Sequence, residues 1–143
     1  MATEVKLTFP DGSTVFVQAF SNAALTQTVT IQPPAGGGDA AVFQGSGESN
    51  VPQALTTQGF LTASSGGQPS FVSTGGEYMI SIATEEGDSQ VMGAASQLNT
   101  PAGGTILVGW VLSEDQDDED WNDSVVIFTT YLPPGSARAE VAR

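Results

Sequence analysis

The chain predicts an all-β fold: a single-domain antiparallel β-sandwich of about nine strands. Three observations point there. Apolar residues recur at every second position in short stretches, as they do in half-buried strands. The 17 glycines and 8 prolines fall mostly between those stretches, where turns belong. No segment sustains a 3.6-residue period between helix caps. A length of 143 residues suits one domain with one core.

The first element, EVKLTF (Glu4 to Phe9), places Val5, Leu7 and Phe9 on one face, and PDGS (Pro10 to Ser13) makes a turn. Thr14 to Phe20 reads as a second strand ending at SNAAL. Thr26 to Ile31 reads as a third, with Gln27, Val29 and Ile31 on one side and PPAGGG closing it. Ala40 to Phe43, Gly59 to Ala63, Phe71 to Thr74 and Tyr78 to Ala83 are shorter strands, and Ser89 to Met92 adds another. Thr105 to Leu112 and Ser124 to Tyr131 are the longest apolar runs and suit central strands. Trp110, within ILVGWVL, is assigned to the core. Residues 1–135 make the domain, and SARAEVAR (136–143) is a C-terminal extension, either a short helix or a loose tail.

Composition removes several function classes. Cysteine and histidine are both absent, which excludes thiol nucleophiles, Ser-His and Cys-His catalysis, disulfides and Cys/His zinc sites. The formal charge is -13, with only Lys6, Arg138 and Arg143 positive. Such a surface repels phosphate backbones and anionic lipid, so no nucleic acid and no direct lipid binding are expected. No apolar run approaches the ~20 residues of a membrane span. MATEVKLTFP lacks a secretory signal, so the expectation is cytoplasmic synthesis, the protein either staying in the cytoplasm or leaving for the cell surface or exterior by a non-classical route that the sequence does not show.

The acidic residues are unevenly spread: seven of the sixteen lie between Glu114 and Asp123, in SEDQDDEDWND. Two carboxylates about 5 Å apart repel by roughly 3 kcal/mol at an effective dielectric near 20. GWVL before the run and VVIF after it pin both ends into a sheet, so the charges cannot disperse as on a tail. A solvated acidic loop is one reading. A hard divalent cation is the other, since calcium takes six to eight oxygen ligands in irregular geometry. The stretch is not an EF-hand, which needs Gly at the sixth loop position, Glu at the twelfth and flanking helices.

Here the sequence resembles the LecB-type (PA-IIL-like) bacterial calcium-dependent fucose/mannose-binding lectins. Ser113, Glu114, Asp115, Asp118, Asp120, Trp121, Asn122 and Asp123 fall at the family's acidic-loop spacing without insertion. TVFVQAFSNAALTQTV and AAVFQG resemble its upstream strands and loop. The likeness runs from about Leu7 to Gly135, more loosely between Gly45 and Gly104.

The resemblance implies two adjacent Ca²⁺ ions that directly coordinate vicinal hydroxyls of a mannose- or fucose-type sugar. Glu114, Asp118, Asp120 and Asp123 would hold one ion. Asn22, Asp120, Asn122 and Asp123 would hold the other, with Asp120 and Asp123 bridging. Asp115 would hydrogen-bond a sugar hydroxyl. Ala23, Ala24 and Leu25 match the family's specificity loop, and Ala at its first place implies mannose. Trp121 is assigned to packing the loop onto the sandwich, and Asp117 and Glu119 to solvent.

In the family a terminal glycine carboxylate reaches across a dimer to the neighbour's second calcium. Here YLPPG is followed by eight more residues, so Gly135 has no free carboxylate. A homodimer or higher oligomer is implied, with Gly135 as the partner-chain ligand in question. Two other functions stay open at this point: a calcium-stiffened structural or adhesion protein, and a glycosidase using a second acid among Glu77, Glu85, Glu86 and Asp88, whose spacing singles none out. Non-enzymatic sugar binding is the leading expectation.

Overall fold

In a computed structural model, residues 2–63, 67–114 and 121–135 are described. The described chain is all-β and antiparallel, as expected, with ten strands: β1 (Glu4–Leu7), β2 (Thr14–Gln32), β3 (Ala41–Pro52), β4 (Ala54–Thr57), β5 (Ser70–Val72), β6 (Tyr78–Thr84), β7 (Gly87–Asp88), β8 (Gln90–Asn99), β9 (Thr105–Glu114) and β10 (Ser124–Leu132). The main hydrogen-bonded order is β1-β6-β2-β10-β9-β8.

β2 joins the two halves of the sandwich. Its first half pairs with β10, from Phe16↔Thr129 to Ser21↔Ser124. Its second half pairs with β6, from Thr28↔Ala83 to Gln32↔Met79. The two strands read separately from the sequence are therefore one strand that changes layers. SNAAL does not end it because β3 pairs with β2 on both sides of the bend. β3 carries the extra residues between Val51 and Gly47, and β2 carries them between Ala23 and Gln27, so register returns at Gln27↔Gly45. Such paired irregularities bend and twist a strand without losing it. Ser49 (φ 87°), Asn50 (φ 57°) and Gly47 (φ 114°) take the left-handed backbone this requires. The opposite edges also meet: Val91 N–H donates to the Ala2 carbonyl at 2.9 Å.

The alternation read from the sequence sets the core. Leu7, Phe9, Val15, Val17, Val29, Ile31, Ile80, Ile82, Leu107, Val111, Val126 and Phe128 form one buried cluster drawn from both layers. PDGS turns as expected: Gly12 has φ +83°, and the Ser13 N–H and hydroxyl both donate to the Pro10 carbonyl.

Three expectations are corrected. Gly59 to Ala63 is not a strand. Gly59 has φ +55°, Leu61 N–H turns back to the Gln58 carbonyl, and only an isolated bridge, Thr62↔Ser70, remains. Phe60 and Leu61 still serve the core, with the Phe60 ring 5.3 Å from Phe71. Residues 44–57 are mostly strand, where the polar sequence ESN and many small residues gave no alternation to read. Trp110 is half-buried on the outer face of β9, because inward positions fall to Leu107, Gly109 and Val111. Residues 136–143, the extension, lie outside the described part.

Candidate functional site

Three strands bring the site together at one end of the sheet. β9 ends at Glu114 and β10 begins at Ser124, and Ser124 faces Ser113 on one side and Ser21 of β2 on the other. Backbone bonds tie the residues just beyond. Asn22 N–H donates to the Asp123 carbonyl at 2.9 Å, and Asp123 N–H donates to the Ser113 carbonyl at 3.2 Å. Ser124 N–H donates to Ser113 Oγ at 2.9 Å. Asn22, Glu114 and Asp123, distant in sequence, are thus neighbours by register. Asp115, Asp118 and Asp120 lie outside the described residues.

Both described carboxylates are buried, Glu114 at 3% exposure and Asp123 at 5%. Trp121 N–H donates to Glu114 Oε1 at 3.1 Å, and Trp121 takes φ 54°, in the left-handed region. Trp121 is half-buried, and Asn122 is exposed.

Burying a carboxylate is costly unless a positive charge or several donors compensate it. β2, β9 and β10 contain no Lys or Arg. Lys6, the one basic side chain among the described residues, sits on β1, which pairs with β6. The local donor set is carboxylate and amide oxygen, without nitrogen bases or thiolates, and that chemistry suits a hard cation such as Ca²⁺. Asn22, Glu114 and Asp123 supply oxygen donors of the kind such an ion takes. The described residues alone hold no cluster of three acidic groups, so a complete set of ligands needs the aspartates of the connecting loop.

Ala23, Ala24 and Leu25, the expected specificity loop, sit on the β2 bend. Ala23 is buried at 8% exposure, Ala24 is exposed and Leu25 is half-buried. Two groups that the sequence did not single out hold this bend. On the outside, Asn50 pairs with Asn22 twice: Asn22 Nδ2 donates to Asn50 Oδ1 at 3.0 Å, and Asn50 N–H donates to Asn22 Oδ1 at 2.7 Å. On the inside, Gln27 Nε2 donates to the Leu25 carbonyl at 3.1 Å. The Ser124 hydroxyl donates to Gln27 Oε1 at 3.2 Å, and Gln53 Nε2 donates to Ser124 Oγ at 3.1 Å and Ser21 Oγ at 3.0 Å. A glutamine sharing the inward face with Val29 and Ile31 is the one available sequence signal. Asn50 had none, because its partner lies 28 residues away.

Gly135, exposed at φ +86°, follows β10 at the end remote from the site. β10 runs from Ser124 to Leu132, about 26 Å at ~3.3 Å per residue. Gly135 cannot serve the site of its own chain.

Comparison with known proteins agrees with this architecture. The model of the fucose-binding lectin II (PA-IIL) family matches residues 7–132. Among solved structures, a Chromobacterium violaceum lectin, CV2L, in complex with alpha-methyl-fucoside is 27% identical with a TM-score of 0.63, covering 94% of this chain and 100% of that one. A high-affinity mannose-binding lectin of Ralstonia solanacearum is 25% identical with a TM-score of 0.62, covering 91% and 96%. The C-terminal domain of the BC2L-C lectin of Burkholderia cenocepacia, 24% identical with a TM-score of 0.61, shares the fold over 94% and 100%. No curated protein matches.

Proposed function

The chain belongs to the fucose-binding lectin II (PA-IIL) family, a family of carbohydrate-binding lectins, and we propose that it binds mannose- or fucose-type sugars through two adjacent calcium ions, with mannose preferred. The observation that carries this reading is the buried Glu114–Asp123 pair beside Asn22 on strands without a basic residue. When bound, the ions would offer open coordination positions to adjacent sugar hydroxyls. Glu114, Asp118, Asp120 and Asp123 would hold one and Asn22, Asp120, Asn122 and Asp123 the other. The Asn22 side chain is engaged with Asn50, so Asn22 serves through its backbone carbonyl unless that pair opens. Asp115 and the Ala23–Leu25 loop would contact the sugar. A saccharide offers little apolar area, so fixed charges are needed to offset its lost hydration.

Calorimetry with mannose, fucose and galactose, in calcium and then in EDTA, tests this. Binding of mannose and fucose that disappears on chelation is expected. Sugar binding that survives chelation contradicts the mechanism.

The protein is further proposed to act as a homodimer. The outer face of β2, β10 and β9 presents Phe16, Phe20, Trp110, Leu112, Ile127 and Tyr131, none of them charged. In a chain of charge -13, two copies meet with least repulsion on such a face. A second copy would also supply the only Gly135 that could approach the site.

A further inference from the structure

We propose that Asn50 and Gln27 are positioning residues that set sugar affinity and preference by fixing the Asn22–Leu25 bend from opposite sides. The inference rests on the lectin reading and extends it to two residues outside the ligand set.

The bend is the part of β2 with the fewest ladder pairs. Between Ser21 and Gln27 the ladder to β3 is interrupted twice, so the strand there is held by fewer regular backbone bonds than elsewhere. Side chains take over. Asn50 grips both polar atoms of the Asn22 amide, and its φ of 57° is one that asparagine tolerates better than most residues. Gln27, fully buried, holds the Leu25 carbonyl. Its other atom accepts from Ser124, the residue after Asp123. A directed chain therefore runs from Gln53 through Ser124 and Gln27 to Leu25. It links the strand that presents Asp123 to the loop that faces the sugar. Preorganising a loop in this way removes an ordering cost from binding.

Three variants of the full chain test the role: Asn50→Gly, Asn50→Asp and Gln27→Met. Glycine keeps the left-handed backbone and the N–H bond to Asn22 Oδ1 but removes the acceptor. Aspartate restores that acceptor. Methionine keeps the volume of Gln27 and removes its bonds to the Leu25 carbonyl and the Ser124 hydroxyl. The readouts are the Asn22 side-chain amide resonances in calcium-free protein, the thermal midpoint, and calorimetric affinities for methyl mannoside and methyl fucoside in saturating calcium.

In Asn50→Gly the Asn22 resonances should move, and affinity for the preferred sugar should fall about five- to tenfold, the scale of one lost hydrogen bond. The mannose-to-fucose ratio should change while the calcium-free midpoint stays close to the parent's, because the bond is exposed. Asn50→Asp should return toward parental affinity. Gln27→Met should alter the ratio as well, with a lower midpoint. Affinities and ratios within twofold of the parent in both Asn50→Gly and Gln27→Met overturn the proposal. Unmoved Asn22 resonances in Asn50→Gly refute the clamp itself. A parent protein that binds neither sugar defeats the lectin mechanism and the role with it, and the resonances still report separately whether the clamp exists.

Discussion

At the scale of single residues, Glu114 and Asp123 carry the electrostatic argument. Both are buried, and neither has a basic residue on its own strand or the adjoining ones. Glu114→Gln keeps an acceptor for the Trp121 N–H but removes one negative charge. Calcium affinity, measured by titration calorimetry, should fall at least tenfold, while the calcium-free thermal midpoint is unchanged or raised. A lowered midpoint with intact calcium binding would show that the carboxylate serves the fold and not the ion. Asp120→Ala should abolish both calcium and sugar binding and leave the far-ultraviolet β spectrum intact. Ala23→Ser should move the mannose-to-fucose ratio severalfold toward fucose. An unchanged ratio would transfer the selecting role to Ala24 and Leu25, which are the more exposed members of the loop.

At the scale of elements, the bent strand β2 and the start of β10 decide where the ligands stand. Ser124 accepts from Gln53 and donates to Gln27 inside the protein. Ser124→Ala removes the hydroxyl that links the two amides, and a lost hydrogen bond costs about 0.5–1.5 kcal/mol. Urea unfolding of the calcium-free protein should show a loss of that order; a change below about 0.5 kcal/mol would mean the chain is not a structural unit. The acidic loop and the inward pattern of Gln27, Val29 and Ile31 were legible in the sequence because composition and period two speak directly. The continuity of β2 was not legible. Asn, Ala and Leu in SNAAL look like turn and cap residues, and partners distant in sequence hold them in the strand: β3 across the bend, and the Asp123 carbonyl on the Asn22 N–H. β4 and β8 beyond Met92 were missed for a related reason. Small and polar residues dominate them, and most of their positions are exposed. Trp110 was misplaced because strand parity, not apolar character, decides which face a residue takes. Asn50 joined the site only through a pairing that local sequence does not encode.

At the scale of the molecule, two layers joined by β2 carry an acidic site at one end and an uncharged apolar face along β2, β10 and β9. Calcium that binds only the folded form should raise stability by about 2.7 kcal/mol at a hundred times its dissociation constant, read as a rise in thermal midpoint that EDTA reverses. Sedimentation should give twice the chain mass, and Ile127→Lys should give a monomer; an Ile127→Lys variant that stays dimeric would place the interface elsewhere. On the proposed function, clustered carboxylates at the junction of β9 and β10 persist because paired cations neutralise them and reach out to a saccharide. A crystal structure grown with millimolar calcium and mannose tests it most directly. Two ions are expected between Asn22, Glu114 and Asp123 and the loop aspartates, with adjacent mannose hydroxyls bound to both. A loop without ions, its carboxylates turned to solvent and the sugar absent or bound elsewhere, would contradict it.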